Sequence, residues 1–415
     1  MKSGLQAFRA GDYSGAIREF DGLIQREVPP TVKSDAHYHR AESYMALIDL
    51  LQSPNVRGGP AKFSDALVKA CEDYLSALAL NPASWKHHLE EKWEILFPAL
   101  IQEGVEMLEQ GRKNENQVGR AANLEAASRR FELAAKLHPN RYLPIDLLGQ
   151  VAMAKGFYRQ AEQLLNKAVW LFEEEKPAAP DLLIAYAYYR LALLHRHYLY
   201  PDTTLPAQSD LHKGLAFLRK ARAALESEYR RAGKMAAQID SRDLALYQLQ
   251  YQQAQQDFFY LELDLLLHLP ELHEEALLRF QEALRKDPRN YTLLLAYAQL
   301  LERRNLQEAL EVYQRAAAMQ SDACEAHYHI GLILFNEASR LEKEAFKTKN
   351  LEQYQEFLAR SRAQLSLAHP HLRTAHQCSP ESLELVNALV QVTLNLHIPG
   401  DYERYKKRQE ELIAR

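Results

Sequence analysis

Hydrophobic and small residues recur along this chain at steps of three and four, the spacing that puts side chains on one face of an α-helix. The recurring pattern is Ala, then an aromatic residue or Leu four positions later, a second Ala three positions after that, and Pro or Ser a further five positions on. Its five copies are Ala70-Tyr74-Ala77-Pro82, Ala127-Phe131-Ala134-Pro139, Ala276-Phe280-Ala283-Pro288, Ala309-Tyr313-Ala316-Ser321 and Ala368-Leu372-Ala375-Pro380. Small residues let a neighbouring helix approach, the larger residue fills the gap, and Pro ends a helix. Each copy therefore predicts one helix of a packed helical pair.

Looser copies without the Pro are Ala16-Phe20-Leu23, Ala161-Leu165-Ala168 and Gly214-Leu218-Ala221. A small residue twelve positions earlier supplies the matching first helix in two of them, at Gly4 and Gly149. Gly331 lies on another well-patterned first helix, whose second helix comes late. The pattern resembles the tetratricopeptide repeat over nearly the entire chain. The resemblance implies an all-α fold, a right-handed α-solenoid of about nine tetratricopeptide-like helix pairs with extended helices and insertions.

This resemblance predicts one superhelical domain, residues 1–415, built from consecutive units. Their approximate bounds are 1–30, 34–82, 89–139, 141–176, 181–232, 243–288, 290–321, 323–378 and 380–415, the last with a polar capping helix. Regular repeats would be spaced by about 34 residues, but five of the seven intervals between the anchor residues are 53 to 62 residues long. We therefore expect longer helices or large loops in most units. The charged stretch 341–368 is expected to be one helix that projects beyond the core.

The composition agrees with a helical protein and argues against a nucleic-acid partner and a membrane span. Good helix formers dominate, and alternating β-branched runs are absent. The chain has 415 residues with 51 basic and 55 acidic side chains, a formal net charge of −4. A nucleic-acid-binding solenoid needs a basic surface, so no nucleic-acid partner is predicted. No apolar run reaches the roughly 20 residues of a membrane span, because the nearest one, 258–269, contains Glu262, Asp264 and His268.

The sequence contains little that indicates catalysis. Walker, GxGxxG and GxSxG motifs are absent, so we predict neither an enzyme nor a cofactor. The potential metal ligands are His369, His371, His376 and Cys378 in one group and Cys324, His327 and His329 in another. Neither group has the spacing of a zinc motif, and no metal site is predicted. Cys71, Cys324 and Cys378 are expected to be buried free thiols, which suits a reducing compartment.

The resemblance also implies where a partner binds. In tetratricopeptide proteins the first helices of successive units line a concave groove, with groove residues three before, one after and four after each small residue. The candidates are Tyr38, Met45, Asp146, Gln150, Tyr189, Arg196, Tyr328 and Phe335. Aromatic, Met and Arg side chains are the usual anchors of protein interfaces. The Asn and Lys that clamp a C-terminal carboxylate in chaperone-binding members have no counterparts here, so a chaperone-tail adaptor is not expected.

These observations predict a non-catalytic scaffold that holds a peptide segment or subunit in its groove within a larger assembly. One alternative is an exported envelope assembly factor, periplasmic or lipid-anchored, and others are a small-ligand-sensing domain and an RNA-binding repeat protein. Inserted helices that fill the groove would leave its residues in the core. Met1 falls inside the first expected helix, so either a preceding signal, anchor or repeat has been removed or the chain starts naturally with a short helix. Both cytoplasmic and periplasmic locations stay open, and the compact form favours a bacterial protein.

Overall fold

The computed structural model describes residues 1–52, 65–175, 182–199, 206–235, 240–319 and 323–414. Within those ranges the chain forms eighteen α-helices and no strand. It divides into two compact units, Met1–Leu261 and Glu262–Arg415, with the division inside a long helix. The prediction of an all-α repeat fold is confirmed. The organisation as one domain of nine units stays a prediction.

The first unit contains ten complete helices and most of an eleventh. They are α1 (Lys2–Arg9), α2 (Tyr13–Ile24), α3 (Pro30–Gln52), α4 (Ala66–Leu80), α5 (Pro82–Lys113), α6 (Gln117–Leu137), α7 (Tyr142–Ala154), α8 (Tyr158–Glu175), α9 (Leu182–Leu193), α10 (Gln208–Met235) and α11 (Ser241–Leu267). A π-helical turn, Leu194–Tyr198, continues α9. Neighbours in sequence pack as pairs, α1 on α2, α3 on α4, α5 on α6, α7 on α8 and α9 on α10.

The second unit begins with the end of α11 and a 3-10 turn, Pro270–Leu272. The helices that follow are α12 (His273–Lys286), α13 (Tyr291–Glu302), α14 (Leu306–Ala317), α15 (Cys324–Lys347), α16 (Leu351–Cys378), α17 (Leu383–Asn395) and α18 (Pro399–Ile413). Here too sequence neighbours pair, with α13 on α14, α15 on α16 and α17 on α18. The candidate site described below lies in this unit.

Polar side chains and prolines set the starts of several helices. The side chain of Asn305 accepts hydrogen bonds from two backbone N–H groups in the first turn of α14, at 3.1 and 3.4 Å. Asn350 does the same for α16, at 2.9 and 3.2 Å. Such caps satisfy donors that have no partner inside the helix. Pro82 and Pro399 open α5 and α18, where the missing N–H would have had no intrahelical partner.

The repeat spacing corresponds to one recurring contact between the two helices of a pair. Gly4 of α1 lies so close to Phe20 of α2 that a Cβ at Gly4 would be 2.6 Å from the ring. Gly149 of α7 lies in the same way against Leu165 of α8, where a Cβ would be 2.8 Å from Cγ. Ala16, one turn before Phe20, is fully buried. The predicted contact of a small residue with a large one is present in both pairs.

Pairs with inserted residues keep this contact although the sequence spacing changes. Gly104 of α5 packs on Phe131 of α6, and Gly331 of α15 packs on Leu372 of α16. The partners are 27 and 41 residues apart, instead of the 16 residues between Gly4 and Phe20. The helices absorb the added length, because α5 has 32 residues, α15 has 24 and α16 has 28.

The prediction of one continuous projecting helix over 341–368 is wrong. The chain turns between Lys347 and Leu351, where Thr348 and Asn350 end α15 and begin α16. The two arms then pack against each other, and Leu341 and Leu365 are buried. A stretch without Gly or Pro still turns here because Asn350 supplies a helix cap.

The prediction of free thiols is wrong for two of the three cysteines. A disulfide joins Cys324, the first residue of α15, to Cys378, the last residue of α16, with the Cα atoms 6.2 Å apart. That separation lies within the usual range for a disulfide. Cys71 is free and buried in α4. The bonded residues are 54 positions apart in sequence, and the antiparallel packing of α15 on α16 brings them together.

Candidate functional site

Two cavities lie along α15 in the second unit, with volumes of about 680 and 430 Å³. The larger is lined by Glu302, Leu306, Gln307, Leu310, Tyr328, His329, Leu332, Ile333, Leu334, Asn336, Glu337, Arg340 and Gln364. The smaller is lined by Leu332, Phe335, Asn336, Leu383, Glu384, Asn387, Ala388 and Gln391. Leu332 and Asn336 belong to both linings, so the cavities are neighbours on one surface, which we call the α15 groove.

Gly331 explains why α15 presents these residues. Its contact with Leu372 holds one face of α15 against α16. Residues three before, one after and four after Gly331 then lie together on a stripe beside that face, about 40° to 100° around the helix from Gly331 at 3.6 residues per turn. They are Tyr328, Leu332 and Phe335, all half-buried, and each lines one or both cavities. The two groove residues predicted on this helix, Tyr328 and Phe335, therefore occupy one surface.

Carboxylates flank the Tyr328 end of the groove. The Tyr328 hydroxyl donates to Glu384 Oε2 at 2.7 Å. Burial raises the pKa of Tyr328 to about 12, with the hydrogen bond and charge of Glu384 adding to the effect. The Tyr328 hydroxyl thus stays protonated at neutral pH, and its hydrogen bond holds the Glu384 carboxylate beside the ring.

Glu302 forms the opposite side of this end, at the last residue of α13. It accepts a 2.6 Å hydrogen bond from the Tyr313 hydroxyl, and Nδ1 of His329 lies 2.9 Å from the same carboxylate oxygen. Burial alone would raise the pKa of Glu302, but the hydrogen bonds from His329 and Tyr313 outweigh it and lower that pKa. The carboxylate is therefore held ionised at neutral pH.

Amide side chains complete the walls of the α15 groove. Asn336 lines both cavities, and Asn387 and Gln391 of α17 line the smaller one. An amide both donates and accepts hydrogen bonds, so it can pair with a peptide backbone. The described lining residues include no Ser, Thr or Cys that could act as a nucleophile. The groove combines an apolar floor with amide and carboxylate side chains.

The predicted groove residues at the start of the first unit are engaged by neighbouring side chains. Tyr38 of α3 stacks on Trp85 of α5, with the ring centroids 3.9 Å apart. Met45 is half-buried against the core formed by α3, α4, α5 and α6. Burial raises the pKa of Tyr38 to about 12, and Glu42 contributes to the rise. Trp85 thus covers part of the surface that the sequence assigned to a partner.

Asp146 and Gln150 lie inside a polar network that links three helices of the first unit. Asp146 is fully buried and Gln150 is 7% exposed. Arg190 of α9 donates to both carboxylate oxygens of Asp146, at 2.9 and 3.1 Å. Gln150 donates to Asp146 at 2.9 Å and accepts from Arg112 of α5 at 3.1 Å. Both predicted residues here have internal partners.

The last two predicted residues also lie in the first unit. The ring of Tyr189 stacks on Phe258 of α11, with centroids 4.8 Å apart. Arg196 lies half-buried in the π-helical turn that follows α9. Among the eight predicted residues, only Tyr328 and Phe335 line the two cavities described above.

Sequence reasoning missed the α17 side of the groove. Glu384, Asn387 and Gln391 are spaced by three and four residues, which places them on one helix face. That polar stripe, beside a run of apolar residues, was the available signal. No small residue of the tetratricopeptide kind was assigned to α17, so its groove face had no predicted register.

Four of the seven histidines and cysteines considered as metal ligands form two pairs. His327 and His371 face each other with their Nδ1 atoms 2.7 Å apart, and Cys324 is bonded to Cys378. Within the described ranges, no group of three or more His, Cys, Asp or Glu side chains is placed to hold a metal ion. Among the helices of those ranges, none has the length and apolarity to cross a membrane.

No family model and no curated protein matches the chain. Among solved structures, it is similar to YrrB, described as a TPR protein with an unusual peptide-binding site, with a TM-score of 0.32 and 17% identity over 60% of this chain and 97% of that one. The structure of Naa15/Naa10 bound to HypK-THB has a TM-score of 0.32 and 11% identity, over 99% of this chain and 63% of that one. Yeast Tom70 has a TM-score of 0.27 and 13% identity, over 99% of this chain and 90% of that one. At these values the likeness transfers no partner and no residue role.

Proposed function

We propose that this chain, whose fold is a tetratricopeptide-like helical repeat, is a non-catalytic scaffold that binds a segment of a partner protein in the α15 groove. The observation that carries the proposal is the position of Tyr328, Leu332 and Phe335. The spacing around Gly331 assigned these three residues to a groove, and they line two adjoining cavities. The proposed partner-binding set in the second unit is therefore Tyr328, Leu332 and Phe335, with Asn336 between the two cavities.

The chemistry of the groove fits a polypeptide segment. Leu332 and Phe335 offer apolar surface that stays accessible, and aromatic and aliphatic anchors of this kind contribute most of the free energy of many interfaces. Asn387 and Gln391 provide donors and acceptors along the wall. A peptide can bury its apolar side chains on the floor while its backbone pairs with the amides. The function is then to hold one protein beside another.

The first unit has a different part in this proposal. Tyr38, Met45, Asp146 and Gln150 have partners within the chain, so we assign them to stabilising the helical array. Tyr189 and Arg196 retain partial exposure and stay candidates for a second contact. The packed helical pairs of the second unit would hold the α15 groove in place.

Selection of binders from displayed random peptides, followed by affinity measurement with a fluorescent copy, tests the proposal. Phe335→Glu should lower the affinity by about tenfold or more, because it places a charge on the apolar floor. Phe346→Glu is the matched control, since Phe346 lies on the same helix, is 75% exposed and lines neither described cavity. Equal affinities of both variants and the wild type, with unchanged circular dichroism, would refute the α15 groove as the binding site.

A further inference from the structure

The α15 groove carries an excess of negative charge at one end. Its described lining contains Glu302, Glu337 and Glu384 but only one Arg or Lys, Arg340. Arg340 donates to both oxygens of Glu337, at 2.8 and 2.7 Å. This ion pair is internally neutral, so the charge that a ligand meets comes from Glu302 and Glu384.

These two carboxylates accept hydrogen bonds from tyrosine hydroxyl groups, and Glu302 also lies 2.9 Å from Nδ1 of His329. Glu384 accepts from Tyr328, and Glu302 accepts from Tyr313. In the described part of the chain, no Lys or Arg forms an ion pair with Glu302 or Glu384. Glu325, one turn before Tyr328 along α15, accepts from the Gln299 amide and likewise forms no such pair within those ranges. Glu302 and Glu384 thus lie near Tyr328, and among the described residues neither is paired with a Lys or Arg, although His329 contacts Glu302.

The apolar part of the groove begins on the next turns of the same helix. Tyr328 and Phe335 are seven residues apart, which corresponds to about 10.5 Å along an α-helix at 1.5 Å per residue. A peptide in the extended polyproline II conformation has three residues per turn and rises about 3.1 Å per residue. Side chains three positions apart in such a peptide therefore lie on the same side, about 9.3 Å from each other. Charge and apolar surface lie at a separation that one short peptide can match.

We infer that the α15 groove selects an extended segment of a partner protein in which Lys or Arg lies three positions from a large apolar residue. The basic side chain lies between Glu302 and Glu384 near Tyr328, and the apolar side chain packs on Leu332 and Phe335. The inference rests on the proposed function and adds the chemical class of the partner. Opposite charges across the interface steer association and exclude acidic segments.

The test is the composition of peptides selected from a random displayed library by the full chain. We expect Lys or Arg three positions from Leu, Ile, Met or Phe to be enriched, in either chain direction, and Asp and Glu to be depleted. A selected peptide should bind at least fivefold more weakly to the Glu302→Gln/Glu384→Gln variant. Its affinity should also fall as salt is raised, because the pairing charges become screened.

Glu344→Gln is the matched charge control. Glu344 lies on α15 beyond both described cavities and pairs with Lys347 at 2.8 Å, so its neutralisation should leave peptide affinity within twofold of wild type. The variant Glu384→Lys should abolish the selection of Lys and Arg while the apolar preference persists, because a positive charge then stands opposite Glu302. Circular dichroism confirms that each variant is folded.

The outcomes separate this inference from the function on which it rests. Peptides that are lost with Phe335→Glu but show no preference for Lys or Arg would overturn the inference and leave the peptide-binding function intact. Failure to select any peptide sensitive to Phe335→Glu would overturn both. Enrichment of basic residues that is unaffected by Glu302→Gln/Glu384→Gln would also overturn the inference, because the preference would arise elsewhere.

Discussion

Arg190 and Asp146 form an ion pair that crosses from one helical pair of the first unit to the next. Arg190 of α9 donates to both carboxylate oxygens of Asp146 of α7, at 2.9 and 3.1 Å. The Asp146 side chain is 1% exposed and that of Arg190 is 18% exposed. A buried charge of this kind depends on its partner, because desolvation is costly without it. The helical pair α7–α8 is therefore joined to the pair α9–α10 by this ion pair as well as by apolar packing.

Arg190→Ala should lower the free energy of unfolding by about 3–5 kcal/mol, since it leaves Asp146 buried without its counter-ion. Urea denaturation followed by circular dichroism measures the change. Arg230→Ala is the control, because Arg230 pairs with Glu226 on the surface, with side chains 71% and 60% exposed. Its loss should cost less than about 1 kcal/mol.

The double variant Asp146→Leu/Arg190→Leu separates the net contribution of the ion pair from the cost of leaving one buried charge unpaired. Replacing both charges removes the desolvation penalty together with the attraction, so stability should recover most of the loss of the single variant. A single variant as stable as wild type would show that Asp146 gains water or another partner when Arg190 is removed.

Gly331→Ala should destabilise the second unit by about 1–3 kcal/mol through overpacking. A Cβ at this position would be 2.7 Å from Leu372 Cδ2 and 3.1 Å from the Leu372 backbone nitrogen. Ala would otherwise favour the helix by about 1 kcal/mol over Gly. Thermal unfolding measures the difference.

Gly22→Ala provides the comparison for this substitution. Gly22 lies in α2 with no atom within 4 Å of a Cβ built there, so only the helix preference should act and stability should rise slightly. If both substitutions stabilise the protein, the close approach of α15 to α16 is not fixed by Gly331.

The repeat fold could be predicted because its signal is local. Gly149 and Leu165 are 16 residues apart. The residues between them contain the end of one patterned helix, the turn and the start of the next helix. The contact between Gly331 and Leu372 has the same geometry, but 41 residues separate them. The helical character of α15 and α16 could be predicted from the sequence. The position of the turn between them could not, because it depends on a single helix cap, Asn350.

The site was less predictable, because burial depends on neighbours that are remote in sequence. The same positional rule assigned Tyr328 and Asp146 to a groove. Tyr328 lines a cavity, whereas Asp146 is covered because α9 brings Arg190 to it. Likewise, Trp85 in the first turn of α5 covers Tyr38. A rule for which way a side chain points does not show what lies opposite.

Reduction of the disulfide between Cys324 and Cys378 should destabilise the second unit by about 2–4 kcal/mol. The bond closes a loop with a sequence separation of 54 residues, and opening it increases the conformational entropy of the unfolded chain. Thermal unfolding with and without a reductant measures the effect. The Cys324→Ser/Cys378→Ser variant should unfold at the temperature of the reduced protein and show no response to reductant. An equal response in that variant would assign the effect to something other than this bond.

Acid should destabilise the protein, and the pair formed by His327 and His371 should account for part of the effect. Their Nδ1 atoms are 2.7 Å apart, a geometry that lets one neutral ring donate to the other. Burial lowers the pKa of both rings, and the charge of His327 further lowers the pKa of His371. The same direction of pKa shift occurs at His39, His195, His369 and His376.

The sign follows from proton uptake. Between the lowered folded pKa values and the ordinary unfolded value of about 6.5, the unfolded chain binds more protons. The contribution of these neutral histidines to the free energy of unfolding is therefore fully present above the unfolded pKa of about 6.5. It is lost as the pH drops toward the folded pKa values, by up to about 1.4 kcal/mol per pH unit for each proton taken up. The variant His327→Gln/His371→Gln removes two titrating groups while keeping side chains that can hydrogen-bond. Urea denaturation from pH 8 to pH 5 should give it a shallower decline than wild type, whereas His87→Gln, an exposed control on α5, should follow wild type. Parallel curves for all three proteins would show that the histidine pair does not contribute to the acid sensitivity.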